Sequence, residues 1–251
     1  MSPFAKTFFI AQTFLTRIPT PKISDISEKE LSQSILYYPL IGFCLGLCLI
    51  FFTYLFTSFV NETAFSVIAV IIVMLWVLIT GALHLDGLAD TADGFLGGLG
   101  SAENTLKIMK DSVSGPAGIV SICLVLLFKY SAILSILNGD LSLWALLFAP
   151  MIARAVAIGL LTYSPISQEK GLAFELQKEK FPELVATILL LVAIIVFLVT
   201  NIYVLVALSL LVYAIRHWAI VRLQGITGDI LGLIIEVTEA LFLVMAVLVL
   251  S

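Results

Sequence analysis

Long stretches without a charged residue constrain this chain more than any other feature. Residues 39–60 and 63–83 carry no charge, and about 20 apolar residues are enough to cross a bilayer as a helix. Because lipid offers the backbone no hydrogen-bond partners, spans of this length must be helical. Of 251 residues, 61% are hydrophobic and 12% charged, about half the charged share of a soluble domain. The predicted fold class is all-α, a polytopic transmembrane helical bundle.

Further apolar stretches bring the expected number of spans to about seven. They cover residues 117–137, 141–163, 184–215 and the segment from 228 onwards. The 184–215 stretch is long enough for two helices, with a turn expected at Thr200 and Asn201. Residues 4–18 are too short to span and are expected to lie at the interface or to re-enter the membrane. Because no repeat or second domain is visible, residues 1–251 are expected to form one integral membrane domain.

The basic residues predict which ends of the helices face the cytoplasm. If seven segments cross, the turns near Asn61, Asn138 and Asn201 fall on one side and contain no Lys or Arg. Only Lys129 and Arg154 lie within spans, so eleven of the thirteen basic residues fall on the other side. Cytoplasmic loops of membrane proteins carry the excess of basic residues. The second face is therefore expected to be cytoplasmic.

Three carboxylates follow the charge-free stretch that ends at residue 83. Asp86, Asp90 and Asp93 are spaced i, i+4 and i+7, which places them on one face of a helix. Such charges repel one another and raise each other's pKa unless a cation lies among them. Oxygen ligands suit Mg²⁺ or Mn²⁺ better than zinc. The alternative is a solvated acidic helix end, but acids beside a span are usually functional, so a metal site is predicted.

A second acidic stripe lies in the last apolar segment. Asp229, Glu236 and Glu239 are spaced i, i+7 and i+10, again on one helical face, and are expected to point into the same cavity as the first cluster. Arg154 lies inside a span, where an arginine is costly unless it faces an acid or an anionic ligand.

Polar residues near the aspartates suggest chemistry on a diphosphate. A metal held by carboxylates bridges phosphate oxygens and neutralises the charge that develops in phosphoryl transfer. Lys107 and Asp111 lie four apart, so an ordinary helix pair is an equally simple interpretation. His84 could act as an acid or base or be a hydrogen-bonded structural residue. Candidates for clamping phosphates are Lys107, Lys110, Arg154, Arg216 and Arg222.

Two motifs closely resemble the adenosylcobinamide-GDP ribazoletransferase, or cobalamin synthase, family. Residues 84–94 read His-Leu-Asp-Gly-Leu-Ala-Asp-Thr-Ala-Asp-Gly, and residues 106–112 read Leu-Lys-Ile-Met-Lys-Asp-Ser. Residues 14–19, 38–42 and 225–232 are similar to further signatures of that family, in the same order. The chain departs from the family pattern near residue 113 and at residues 115–116, where the family more often has a basic residue and Gly-Thr.

The resemblance implies a reaction and roles for these residues. α-Ribazole or its 5′-phosphate attacks the cobinamide-proximal phosphorus of adenosylcobinamide-GDP, GMP leaves, and Mg²⁺ is required. Asp86, Asp90 and Asp93 are assigned to the metal, and Asp111 or Asp229 to a further ligand or to the catalytic base. The candidate substrate-binding residues are His84, Lys107, Lys110, Ser112, Arg154, Thr227, Glu236 and Glu239.

The resemblance and the distribution of basic residues together lead us to expect a multi-pass protein of the prokaryotic cytoplasmic (inner) membrane with its active site on the cytoplasmic face. Its expected partners are the two substrates and the lipid bilayer, without nucleic acid, and a homo-oligomer is compatible with the sequence. One alternative is a CDP-alcohol phosphotransferase, but the arginine of the Asp-Gly-x-x-Ala-Arg motif is replaced by Asp90. Another is a cation-coupled transporter that uses the acids of the last segment as an ion path.

Overall fold

The structure is a computed structural model that describes residues 2–98, 100–111, 113–139 and 143–250, and within these ranges it contains twelve α-helices and no named strand. The helices are α1 (Pro3–Leu15), α2 (Glu28–Ser34), α3 (Tyr38–Thr57), α4 (Phe65–Thr80), α5 (Leu83–Gly97), α6 (Ala102–Met109), α7 (Pro116–Leu137), α8 (Trp144–Tyr163), α9 (Leu172–Leu176), α10 (Pro182–Val199), α11 (Ile202–Leu223) and α12 (Gly228–Leu250).

Seven helical segments of the described chain are long and apolar enough to cross a membrane. They are the continuous run from α2 through α3, and then α4, α7, α8, α10, α11 and α12. This finding confirms the all-α fold class and the expected number of spans. The turn expected at Thr200 and Asn201 is also confirmed, because the Asn201 side chain accepts hydrogen bonds from Tyr203 N and Val204 N and caps α11.

Helix α8 occupies the centre of the bundle, and α10 and α11 lie at its periphery. Within the protein, 83% of the α8 span is buried, against 17% for α10 and for α11. Helix α3 packs closely on α8 because Gly42 and Gly46 have no side chain; a β-carbon at either would overlap the backbone of Pro150 or Leu147. Small residues that let two helices approach are typical of membrane bundles.

The chain changes direction between α4 and α5. The sequence predicts a span that continues to residue 83, but α4 ends at Thr80, and Gly81 and Ala82 both have left-handed backbone angles, with φ of 65° and 57°. A left-handed residue ends a helix, and α5 then begins at Leu83. This break turns α5 out of the line of α4 and packs it against α7 and α12.

Helix α1 has 13 residues and is not among the seven long segments. It packs on α2 and α3 through one buried side that includes Ile10, Ala11 and Leu15. The expectation that this segment is too short to span therefore agrees with the structure, and its place relative to the bilayer stays a prediction.

Candidate active site

Helix α5 carries the three aspartates at its predicted spacing. Asp86 is exposed, and Asp90 and Asp93 are half-buried. The face that they share lies beside α12, because α5 and α12 approach each other through glycines. A β-carbon at Gly87 would lie 2.9 Å from the Cα of Asp229, and one at Gly232 would lie 3.0 Å from the carbonyl oxygen of His84. The beginnings of the two acidic segments are therefore adjacent.

The nearby carboxylates affect the pKa of Asp90. Burial and the charges of Asp86, Asp229 and Asp93 raise the pKa of Asp90 to about 6 from an ordinary 3.8. A carboxyl group with a raised pKa among like charges is in the environment that a bound cation would relieve.

Asp93 has a structural role that the sequence does not reveal. Its Oδ2 accepts a hydrogen bond from Gly115 N at 2.6 Å, and its Oδ1 accepts one from Gly118 N at 2.9 Å. Gly115 is the N-cap residue of α7 and Gly118 lies in its first turn, so Asp93 stabilises the start of that helix as a capping carboxylate does. Each oxygen retains a further lone pair, and metal binding by Asp93 stays a prediction.

The carboxylates do not form a complete metal site on their own. Across the described ranges, no three His, Cys, Asp or Glu side chains are grouped closely enough to hold one ion. Magnesium is usually held by one or two protein carboxylates, with water and substrate phosphates as its other ligands. Asp86 and Asp90, next to Asp229, supply the carboxylate oxygens that a magnesium site of this kind needs from the protein.

A cavity of about 560 Å³ opens next to these carboxylates. Its polar lining includes Thr13, Arg17, His84, Lys110, Gln168, Lys170, Thr227 and Asp229. Among the described residues, Arg17, Lys110 and Lys170 make no ion pair with a carboxylate within 4.0 Å. Three basic side chains that form no ion pair within the described residues suit an anionic ligand.

His84 is the most buried of the polar residues in the cavity wall. Its side chain belongs to a residue that is 6% exposed, and its Nδ1 has no hydrogen-bond partner within the described part of the chain. Burial and the positive charges of Arg154 and Lys129 lower the pKa of His84 well below its ordinary value. The imidazole is therefore neutral near pH 7, and its Nδ1 can form one hydrogen bond with a ligand in the cavity.

Asp229 and Asp111, the two candidate bases, are placed differently. Asp229 lines the cavity in the first turn of α12, where Thr227 Oγ1 lies 3.4 Å from its Oδ2 and accepts from Ile230 N at 3.3 Å. Asp111 is exposed after the end of α6, and its Oδ1 accepts from Val113 N at 3.1 Å. The structure thus brings Asp229, and not Asp111, to the cavity wall.

Three predicted substrate ligands lie instead in a buried ion network. Lys129 Nζ is 2.7 Å from Glu236 Oε2 and 2.5 Å from Glu239 Oε2, and Arg154 Nη1 contacts Glu239 Oε1. All four residues are at most 2% exposed. The expectation that the whole second stripe points into the cavity is therefore wrong, because buried charges need partners and only Asp229 lies at the cavity.

This network bears on two of the sequence interpretations. Two carboxylates and two cations balance each other, so two of the three acids that suggested an ion path, Glu236 and Glu239, are already paired. Contact of Arg154, Glu236 or Glu239 with substrate stays a prediction. Lys107 is exposed and is absent from the cavity lining as far as the structure describes it, whereas Lys110 is part of that lining. Ser112 lies outside the described residues.

Sequence reasoning missed several polar residues of the cavity, the longest of which come from distant segments. Arg17, Gln168 and Lys170 line it from segments that are far apart in the chain. The sequence predicts that these segments lie on the same side of the membrane as the aspartates. Hydropathy and spacing cannot predict that they line one cavity together. Arg222 is used differently, because it donates to Thr105 Oγ1 at 3.0 Å and to the carbonyl oxygen of Gly98.

Comparison with known proteins identifies relatives along almost the whole chain. Residues 7–247 match the family model described as Cobalamin-5-phosphate synthase. The chain is 40% identical over 233 residues to a protein of Pseudomonas putida named adenosylcobinamide-GDP ribazoletransferase, covering 92% of this chain and 94% of the relative. A protein of the same name from Pseudomonas syringae pv. syringae is 38% identical over 245 residues, covering 96% and 99%.

A more distant relative, from Acinetobacter baumannii and of the same name, is 35% identical over 250 residues, with 94% of each chain covered. No solved structure shows significant similarity to the chain. The resemblance inferred from residues 84–94 and 106–112 is confirmed, as is the prediction of an enzyme of this kind. The family match spans nearly all of the chain, including both acidic segments and the cavity, and the chain therefore belongs to the cobalamin-5-phosphate synthase family.

Proposed function

We propose that this protein is a Mg²⁺-dependent transferase that joins α-ribazole, or its 5′-phosphate, to adenosylcobinamide-GDP. The products are adenosylcobalamin, or its 5′-phosphate, and GMP. The proposal extends the family membership to particular substrates and to a metal. We place the protein in the prokaryotic inner membrane, with the cavity on the cytoplasmic face.

The observation that carries the proposal is the charge arrangement of the cavity. Arg17, Lys110 and Lys170 line it without a carboxylate partner among the described residues, and Asp229 lines it beside Asp86 and Asp90. Free cations suit the diphosphate, and adjacent carboxylates suit the metal that accompanies it. The volume of about 560 Å³ lies within the usual range for ligand sites.

The reaction needs a proton acceptor at the cavity wall. A hydroxyl oxygen of ribazole forms the new bond to the cobinamide-proximal phosphorus, and the bond from that phosphorus to the oxygen that bridges to GMP breaks. The hydroxyl proton passes to the Asp229 carboxylate, which Thr227 orients through the contact at 3.4 Å. Lys110 and Arg17 hold the phosphate oxygens, and neutral His84 contributes one hydrogen bond to the substrate.

We assign Asp86 and Asp90 to the metal. Asp93, on the same helix, orients the start of α7 through its hydrogen bonds. Bound Mg²⁺ supplies neutralisation of the charge on the diphosphate. Burial and then the charges of the neighbouring carboxylates raise the pKa of Asp90, and the second of these causes supports the assignment because a bound cation would offset it.

The test is release of GMP by the purified full chain in detergent. The reaction contains adenosylcobinamide-GDP, α-ribazole or its 5′-phosphate, and Mg²⁺, and the corrinoid product is identified by mass. We expect GMP and product in equal amounts, with loss of both in EDTA and recovery on adding Mg²⁺. Asp90→Asn is the site variant, and Lys29→Gln, at an exposed position, is the control.

Turnover in detergent also separates a transferase from a transporter, since transport requires a sealed membrane. A folded, Mg²⁺-loaded protein that releases no GMP with either form of ribazole would contradict the proposed reaction. Full activity in EDTA would agree with the proposed transfer reaction but contradict its dependence on Mg²⁺.

A further inference from the structure

A second cavity, of about 410 Å³, lies between α8, α10 and α11 and is lined by a different set of residues. Its wall is mainly apolar, and Val156, Leu189, Val192, Leu205 and Leu208 are among its side chains. Because only 17% of α10 and of α11 is buried within the protein, the cavity lies at the outer side of the bundle. In a bilayer it can be reached from the lipid.

One end of this groove carries a cation that has no acidic partner in the part of the chain that the structure describes. Arg216 lines the groove, and it donates from Nε to Ser164 Oγ at 3.1 Å and from Nη2 to the carbonyl oxygen of Tyr163 at 3.0 Å. Both acceptors are neutral, and within the described residues no carboxylate lies within 4.0 Å of this guanidinium. A cation in a membrane helix is costly unless an anion or water reaches it.

Two tyrosines mark the level of this end in the membrane. Tyr163 and Tyr213 line the groove with Arg216 and are 46% and 65% exposed. Exposed tyrosines on membrane helices are typical of the interface between headgroups and hydrocarbon. The groove therefore begins at headgroup level and continues along apolar side chains.

We propose that this groove is a binding site for one anionic phospholipid, with its phosphate on Arg216 and an acyl chain along α8, α10 and α11. Arginine presents several donors to a phosphate, and basic pockets between helices on the cytoplasmic side are suited to anionic headgroups. The site is separate from the proposed transferase cavity and does not depend on that function.

The position of Arg216 connects the lipid to the wall of the first cavity. Its acceptor Ser164 precedes Ile166, which pairs with Ile226 in a short parallel bridge. The bridge is held by Ser167 N to Ile226 O at 3.0 Å and by Ile226 N to Pro165 O at 2.9 Å. Since Ile166 and Ile226 both line the first cavity, a phosphate on Arg216 supports the segment that forms that wall.

The test is native mass spectrometry of the full chain in a neutral detergent, titrated with phosphatidylglycerol or phosphatidylcholine. We expect one phosphatidylglycerol to bind more tightly than phosphatidylcholine. Arg216→Gln should weaken this binding about fivefold, the effect of one basic residue near a membrane surface. Ala193→Phe should also weaken it by filling the groove while leaving Arg216 in place. The control Lys29→Gln removes an exposed charge and should change nothing.

Each other outcome contradicts the proposal. Equal affinity for the two lipids, or unchanged binding by Arg216→Gln, would show that Arg216 does not bind the lipid phosphate. Unchanged binding by Ala193→Phe would remove the groove. Displacement of the lipid by a tenfold excess of inorganic phosphate would assign Arg216 to a soluble anion instead. Variants are compared only where size-exclusion elution matches the wild type, and Ala193→Phe tests the site without altering the arginine.

Discussion

At the scale of single residues, Asp229 and Asp111 are chemically alike but differ in exposure and in what surrounds them. Asp229 is half-buried at the cavity wall, and Asp111 is exposed. We expect Asp229→Asn to lower kcat for GMP release about 100- to 10,000-fold, the usual contribution of a general base. Asp111→Asn should stay close to wild type. Initial rates at saturating substrate decide between them, and a large loss in Asp111→Asn alone would assign the base to Asp111, after the end of α6.

The pKa of Asp90 predicts how metal binding depends on pH. Its folded pKa is raised to about 6 from 3.8, so the carboxyl group gains its proton as pH falls through 6. Mg²⁺ must then displace that proton, and its affinity should fall up to about tenfold per pH unit below 6. Above that pH the affinity should be flat. Titration calorimetry between pH 5 and 8 measures this change.

The same shift has a consequence for stability without metal. Because the folded pKa of Asp90 is above its unfolded value, the metal-free protein loses stability as pH rises from 3.8 to about 6. Asp90→Asn should remove both effects of pH. A variant that keeps the full pH dependence of Mg²⁺ affinity would show that another group titrates.

At the scale of elements, the link between α5 and α7 depends on one side chain. Asp93 accepts from Gly115 N and Gly118 N and so orients the start of α7 against α5. We expect Asp93→Ala to cost about 0.5–2 kcal/mol of stability, as the loss of a helix cap does. Unfolding in detergent, followed by circular dichroism, measures this loss. Asp86→Ala, at an exposed position on the same helix, is the matched control and should be nearly neutral for stability.

The contact of α3 with α8 gives a second prediction at this scale. A β-carbon at Gly42 would overlap the backbone of Pro150, so Gly42→Ala forces the two helices apart. We expect a loss of about 1–3 kcal/mol, the usual cost of overpacking. Leu47→Ala, on the exposed side of α3, should cost less. Equal thermal stability of both variants would mean that α3 and α8 tolerate a wider separation.

The helices show which features of an element are visible in a sequence. Hydropathy is sufficient to predict the spans, because each segment must bury or present apolar side chains along its whole length. The end of α4 was placed too late, since Gly81 and Ala82 take left-handed angles that hydropathy does not encode. Similarly, the spacing of Asp86 and Asp90 predicts their shared face. It does not predict that the Asp93 carboxylate accepts hydrogen bonds from the amides at the start of α7.

At the scale of the whole molecule, partners from distant segments were the part that sequence could not predict. Arg17 and Lys170 meet in one cavity because α1 and the segment before α9 pack at the same end of the bundle. Glu236 was expected in that cavity, yet it binds Lys129 on another helix. Helical periodicity determines which residues share a face. Only packing determines what that face meets.

The buried ion network connects α7, α8 and α12, so its charge balance supports the bundle as a whole. Lys129→Met leaves Glu236 and Glu239 with Arg154 alone, and one buried carboxylate loses its counter-charge. Removing one partner of a buried pair costs about 3–5 kcal/mol. The double variant Lys129→Met, Glu236→Gln restores the balance and should recover most of this loss in thermal unfolding. If the double variant is no more stable than Lys129→Met, the network stabilises the bundle through its hydrogen bonds and not through its neutrality.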